Sequence, residues 1–224
     1  MNRFFGLMVI VLALPVGDGK PAATAAFEAV GTIEMLPKGF EAVNQVLVER
    51  AVDLSDHERR TVARAVCEEA ERASYDPFLV LGMMDVESDF RRDVVSTADA
   101  RGLMQIQPVT LGWLIMREQW PVTVEQVQKD PALQVRLGVR YVRYLHDRFG
   151  TLDAALMAYN MGPTKYGIVS LEEHGLDPYW GYAKAVRRDA AALKRRTLPG
   201  EGASMAIRNN GGKPLATADG IWGG

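Results

Sequence analysis

Residues 76–108 read DPFLVLGMMDVESDFRRDVVSTADARGLMQIQP, and the rest of the chain is best understood outward from this run. Asp76 is placed to cap a helix and Pro77 to occupy its first position, where the missing N–H costs nothing. Phe78 to Val86 are almost unbroken apolar, which predicts a helix buried on most sides rather than an amphipathic one. Glu87 stands near its end. Poor solvation of the charged form and the negative end of the helix dipole both raise the pKa of a carboxylate so placed. Such a group stays protonated near neutral pH and can donate its proton. The plainer alternative is that Glu87 turns outward as the helix surfaces.

Other helices are announced by the same signals. Val43, Val46, Leu47 and Ala51 fall at helical spacing. Ser55-Asp56-His57-Glu58 is a capping box for a helix running to about Ser74, with Val62, Val66, Ala70 and Ala73 inward. Ser88 to Arg101 is polar and aperiodic, a long connection, and Gly102 allows a tight entry into Leu103-Met104-Gln105-Ile106. Pro108 starts a helix with Leu111, Leu114 and Ile115 inward. Asp130-Pro131 repeats the cap-and-proline pair before Leu133, Leu137, Tyr141 and Leu145, and Gly150 stops that helix. Leu152 to Tyr159 is a compact apolar helix ended by Asn160 and Gly162, with Pro163 expected to prevent its continuation. A last helix, about Tyr179 to Arg196, carries Tyr182, Ala185, Val186 and Leu193. With no run of alternating strand residues, the expected class is all-α.

Length and composition set the frame. The 224 residues are 48% hydrophobic and 24% charged, an ordinary globular balance. Asn2-Arg3 followed by the apolar Phe4 to Val16 reads as an export signal, too short to span a bilayer comfortably. Ala23-Thr24-Ala25 offers a cleavage site, and retention as an anchor is left open. The expected partition is residues 1–25 as signal or anchor, 26–54 as linker and short helix, 55–196 as the functional domain, and 197–224 as a Gly-rich disordered tail. The single cysteine, Cys67, lies on the helical pattern, so it is expected to be a buried thiol; no lipid-attachment cysteine follows the signal, and a lipoprotein is not expected. Net charge is −2, and removing residues 1–25, with Arg3, Lys20 and Asp18, makes it one unit more negative. This argues against a general nucleic-acid binder.

The isolated His57, His146 and His174 make no metal-ligand spacing, so neither metal nor cofactor is expected. There is no G-x-S-x-G elbow and no phosphate-cradling loop. Lys184, Arg187, Arg188, Lys194, Arg195 and Arg196 read as a solvated helix face. Carboxyl, amide, hydroxyl and aromatic groups remain, the inventory of a carbohydrate site.

Three motifs in order then resemble the soluble-lytic-transglycosylase (SLT) type of lysozyme-like enzymes. Glu87-Ser88 with Phe90 is similar to E-S-x-F. Gly102-Leu103-Met104-Gln105-Ile106 with Pro108 and Thr110 is similar to G-L-M-Q-I-x-P-x-T. Ala158-Tyr159-Asn160 with Gly162 is similar to A-Y-N-x-G. Tyr182 is a weaker match to a final tyrosine of the family's cleft. The resemblance covers about Ser55 to Arg196 and implies a lysozyme-like helical domain with a catalytic cleft.

It further implies that Glu87 is the acid/base of a lytic transglycosylase. That enzyme class cuts the bond between N-acetylmuramic acid and N-acetylglucosamine in peptidoglycan and closes a 1,6-anhydro ring without water. Ser96 and Gln105 would hydrogen-bond the glycan, with Tyr159 and Asn160 on the wall opposite Glu87 and Tyr182 closing the cleft. Tyr159 would hold the glutamate or the oxocarbenium-like centre. Gln105 and Asn160 as loop braces, Tyr159 as core, and Ser88 as either brace or sugar contact stay open. Asp99 replaces a common glycine, Gln107 a frequent methionine, Asp177 a glutamate and Pro178 a threonine; these leave subsite detail and exo- versus endo-cleavage open.

Carboxylate counting bears on the same question. A hydrolase usually needs a second carboxylate across the bond, whereas Asp85 points elsewhere on the helix and nothing fixes Asp89 or Asp93 opposite Glu87. A lone acid fits a substrate that supplies its own nucleophile. The alternatives are a goose-type-like hydrolytic lysozyme and a non-catalytic glycan-binding scaffold. The expected setting is the bacterial periplasm or envelope, with a secretion, conjugation or pilus machine as a candidate partner.

Overall fold

Ser55 builds the capping box its sequence promises: its hydroxyl accepts from the Glu58 N–H, and the Glu58 carboxylate accepts from the Ser55 N–H at 2.9 Å. From it runs α2 (Asp56–Ala73), preceded by α1 (Phe40–Arg50) and followed by α3 (Pro77–Ser88), which Asp76 caps by accepting from the Phe78 N–H. The remaining elements are α4 (Pro108–Glu118), α5 (Val124–Lys129), α6 (Pro131–Phe149), α7 (Leu152–Met161), α8 (Pro163–Val169), a 3₁₀ turn at Asp177–Tyr179 and α9 (Trp180–Thr197). This computed structural model describes residues 35–172 and 175–199. Among them the only β pairings are the isolated bridges Val95–Arg101 and Arg101–Ile106, so the domain is all-α. No helix among the described residues is long and apolar enough to cross a membrane.

α3 is the buried axis. Leu81, Met83 and Met84 are fully enclosed, each worth about 1.5–3 kcal/mol of apolar burial. Its closest neighbour is α9, and the two backbones nearly touch at Gly82, where an added Cβ would lie 2.5 Å from the Val186 carbonyl oxygen and 2.8 Å from the Ala190 nitrogen. Only a glycine permits that approach. Asp76 and Lys194 form an ion pair at 2.7 Å at one end of the crossing, and Glu87 meets Tyr182 at the other, so the helices run antiparallel. α2 lies on α6, and α6 on α7.

The short helix expected before Ser55 is α1, and its Phe40, Val43, Val46 and Leu47 are buried in the common core. Pro163 does not merely stop α7; it is the first residue of α8. α5 went unread, although Thr123 and Gln126 form a second capping box. At the other end α9 includes Thr197, and Leu198 packs against the core. The signal segment, residues 26–34, His174 and the tail from residue 200 lie outside the described residues.

Cys67 is a buried thiol whose pKa desolvation pushes up to about 11, the opposite of nucleophile activation. Four of the six basic residues of α9 are paired: Arg187 with Asp153, Arg188 with Asp189, Lys194 with Asp76 and Arg196 with Glu49.

Candidate active site

Glu87 sits in the last turn of α3, which closes when the Phe90 N–H reaches back to the Met84 carbonyl at 3.3 Å. The greasy helix brings the carboxyl group into apolar surroundings, and loss of solvation pushes its pKa up to about 7. The Tyr182 hydroxyl, donated from α9 to Oε1 at 2.5 Å, opposes that rise by favouring the charged form. Tyr182 reaches it because α9 crosses α3 at Gly82, and one turn of α9 separates Val186 from Tyr182. Burial and the nearby Glu87 charge in turn hold the Tyr182 and Tyr159 hydroxyls well above their ordinary pKa, so both remain protonated donors.

The facing loop is tied down from three elements. Gly102 has φ +72° and Gln105 φ +45°, a left-handed path that needs support. From α7, Tyr159 donates to the Met104 carbonyl at 2.6 Å. From α3, the Ser88 hydroxyl lies 3.1 Å from both the Met84 and Leu103 carbonyls. From α6, the Gln134 amide oxygen accepts from the Leu103 N–H, and its nitrogen donates to the Gln128 carbonyl, each at 2.8 Å. Sequence reasoning missed Gln134; the signal was an amide in the buried register of α6, between Asp130 and Leu137.

The sequence-predicted residues therefore divide. Glu87, Tyr182 and Tyr159 come together, but the Tyr159 hydroxyl holds the loop rather than the glutamate. Ser88 is 5% exposed and braces the loop from inside. Gln105 spends both amide hydrogens on the Val94 and Gly102 carbonyls at 3.0 and 2.9 Å, which leaves its oxygen to accept. Ser96 accepts from the Ala98 and Ala100 N–H groups at 3.2 and 3.1 Å, stabilising the turn before Gly102. Asn160 is exposed next to Tyr159. Asp99, where the resemblance expects glycine, has φ +58°, a conformation aspartate tolerates better than most residues. Asp85 and Asp89 both pair with Arg50, at 2.6 and 2.5 Å, so neither is free to act as a partner to Glu87. Among the described residues no three of His, Cys, Asp and Glu are grouped to hold a metal ion.

A cavity of about 340 Å³ lined by Tyr75, Phe78, Leu79 and Lys194 lies at the opposite end of α3. Since eleven helical residues extend about 16 Å, it is separate from the Glu87 cleft.

Residues 64–172 match the family described as Transglycosylase SLT domain. This segment belongs to that family. The SLT segment includes Glu87, the loop and α7; α1 and α9, with Tyr182, lie outside the matched residues. Among curated relatives, membrane-bound lytic murein transglycosylase C of Haemophilus influenzae is 33% identical over 105 residues, 42% of this chain and 29% of the relative. The protein of the same name from Edwardsiella ictaluri is 26% identical over 134 residues, 55% of this chain and 37% of the relative. That from Histophilus somni is 34% identical over 106 residues, 42% and 28% respectively. The chain thus spans about a third of the length of the curated relatives it matches. The SLT fold is also similar to the X-ray structure of an inactive mutant of lytic transglycosylase Slt from Pseudomonas aeruginosa, with TM-score 0.52 and 22% identity over 59% of this chain and 24% of that one.

Proposed function

We propose that this protein is a peptidoglycan lytic transglycosylase with Glu87 as its acid and base. The observation that carries the reading is a desolvated carboxyl group with a pKa of about 7, clamped by a neutral tyrosine while the adjacent aspartates are held by Arg50. Glu87 gives its proton to the glycosidic oxygen as the bond from muramyl C1 breaks. The resulting carboxylate then takes the proton of the muramyl 6-hydroxyl while O6 bonds to C1, which closes the 1,6-anhydro ring and regenerates the acid. Tyr182 stabilises the carboxylate between the two steps. Gln105, Ser96 and Asn160 contact the glycan.

The relatives' names support peptidoglycan as the substrate. The export-like residues 1–25 support action in the periplasm or envelope, and a secretion, conjugation or pilus machine is the partner class this setting suggests. Digestion of purified peptidoglycan followed by mass spectrometry of the fragments tests the reaction. Anhydro-muramic ends are expected and should vanish in Glu87→Gln. Hydrated reducing ends would instead identify a hydrolytic lysozyme, and no cleavage at all a glycan-binding scaffold.

A further inference from the structure

One face of α6 lies along the loop that follows Gly102. Gln134, Gly138 and Tyr141 share that face at helical spacing. Gln134 meets the start of the loop, where a Cβ added to Gly102 would lie 2.2 Å from its Oε1. Gly138 leaves room for Met104, whose Cε would stand 2.7 Å from an added Cβ. The Tyr141 ring rests 5.5 Å from that of Tyr159, which holds the Met104 carbonyl.

Within this contact a single peptide unit joins two glutamines. The N–H of the Gly102–Leu103 peptide donates to Gln134 Oε1 at 2.8 Å. The carbonyl of the same peptide accepts from Gln105 Nε2 at 2.9 Å and from the Gln105 backbone N–H at 3.3 Å. Gln134 is itself fixed: it is 3% exposed, and its Nε2 donates to the Gln128 carbonyl at 2.8 Å. That carbonyl belongs to α5, which is secured by the Thr123 capping box and the buried Val127. A peptide that follows glycine rotates at low steric cost. Rotation here would turn the carbonyl away from Gln105, leaving its carboxamide on the Val94 bond alone. It would also strand the buried Leu103 N–H. The Gln134 bond opposes that rotation.

We infer that Gln134 is a positioning residue for glycan binding: by fixing the Gly102–Leu103 peptide it aims the Gln105 carboxamide oxygen at the substrate. This rests on the proposed function, in which Gln105 contacts the glycan. Glu87 is held separately, by α3 and Tyr182, so loosening the loop weakens binding and spares proton transfer.

The test is steady-state cleavage of soluble, uncrosslinked peptidoglycan strands by the full chain. Gln134→Met keeps the volume and loses both bonds. It is expected to raise KM about tenfold, with kcat per folded enzyme and the pH limit set by Glu87 unchanged. A purely structural role would lower the folded fraction without moving KM. Gln105→Ala should raise KM by a similar factor, and the double variant should be no worse than the more affected single one. Gln134→Glu repeats both bonds while its carboxyl is protonated. Its KM should match the wild type at about pH 5 and rise above it at higher pH as the group ionises, and this variant carries the test if Gln134→Met does not fold. An unchanged KM in Gln134→Met, or in Gln134→Glu at both pH values, overturns the inference and leaves the functional reading standing. So does a fall in kcat at constant KM, or full additivity in the double variant. Absence of cleavage by the wild-type chain overturns both.

Discussion

Glu69 and Glu87 are both drawn largely out of water, and their surroundings give them opposite characters. Glu69 on α2 is 1% exposed and faces three guanidiniums, with Arg72 at 2.5 Å, Arg136 at 3.4 Å and Arg140 at 3.1 Å. Arg140 continues to Glu118 at 2.7 Å and stacks over Trp120, tying α2, α4 and α6 together. Glu87 has no such cation; its partner is the neutral Tyr182 hydroxyl. Burial with opposite charge makes a structural strut, whereas burial with a neutral donor makes a proton carrier. The fold makes both kinds of site from the same residue type.

The contrast can be broken at either end. Glu87→Gln should reduce glycan cleavage about a thousandfold, the scale of a lost general acid, with the far-UV circular dichroism spectrum unchanged; retained cleavage would remove Glu87 from the chemistry. Glu69→Gln should do the reverse. Stranding its arginines should cost about 3 kcal/mol, lowering Tm by roughly 10 °C in a thermal melt, while the folded fraction keeps its kcat.

Tyr182→Phe sharpens the comparison by removing the one bond that favours the charged form of Glu87. A drop of about tenfold in kcat/KM is expected. In the wild type, activity should fall as pH rises through about 7, where the acid loses its proton, and in Tyr182→Phe this limit should move upward. An unmoved limit would show that the tyrosine does not govern the titration.

The smallest effect concerns stability. Folded Glu87 keeps a proton that the unfolded chain releases near the ordinary 4.5, so its contribution to stability falls as pH rises from about 4.5 to about 7. Glu87→Gln removes this penalty. Because the group is partly exposed the gain is modest, about 1 kcal/mol at pH 8 and none below pH 4, measurable by urea denaturation at the two pH values.

Local signals made much of the helical frame legible. Capping at Ser55, Asp76 and Asp130, and the glycine stop at Gly150, act within a turn of sequence, so neighbours suffice to read them. α8 was lost because proline serves equally as a terminator and as a first residue, and only the chain direction after Gly162 separates the two. α5 is six residues long and has little periodicity to read. The hydroxyls of Ser88 and Tyr159 were harder still, since the carbonyls they meet at Leu103 and Met104 lie 15 and 55 residues away.

Residues 76–108 by themselves determined a buried helix ending in an acid and a glycine-entered loop, because helix periodicity, capping and chain breakers are local properties. What surrounds that acid was decided by tertiary structure alone. Gly82 lets α9 approach closely enough for Tyr182 to reach Glu87, Arg50 from α1 draws Asp85 and Asp89 away, and Gln134 fixes the loop from α6. Each of these joins side chains distant in sequence, and desolvation is a property of the packed ensemble of helices rather than of any one segment.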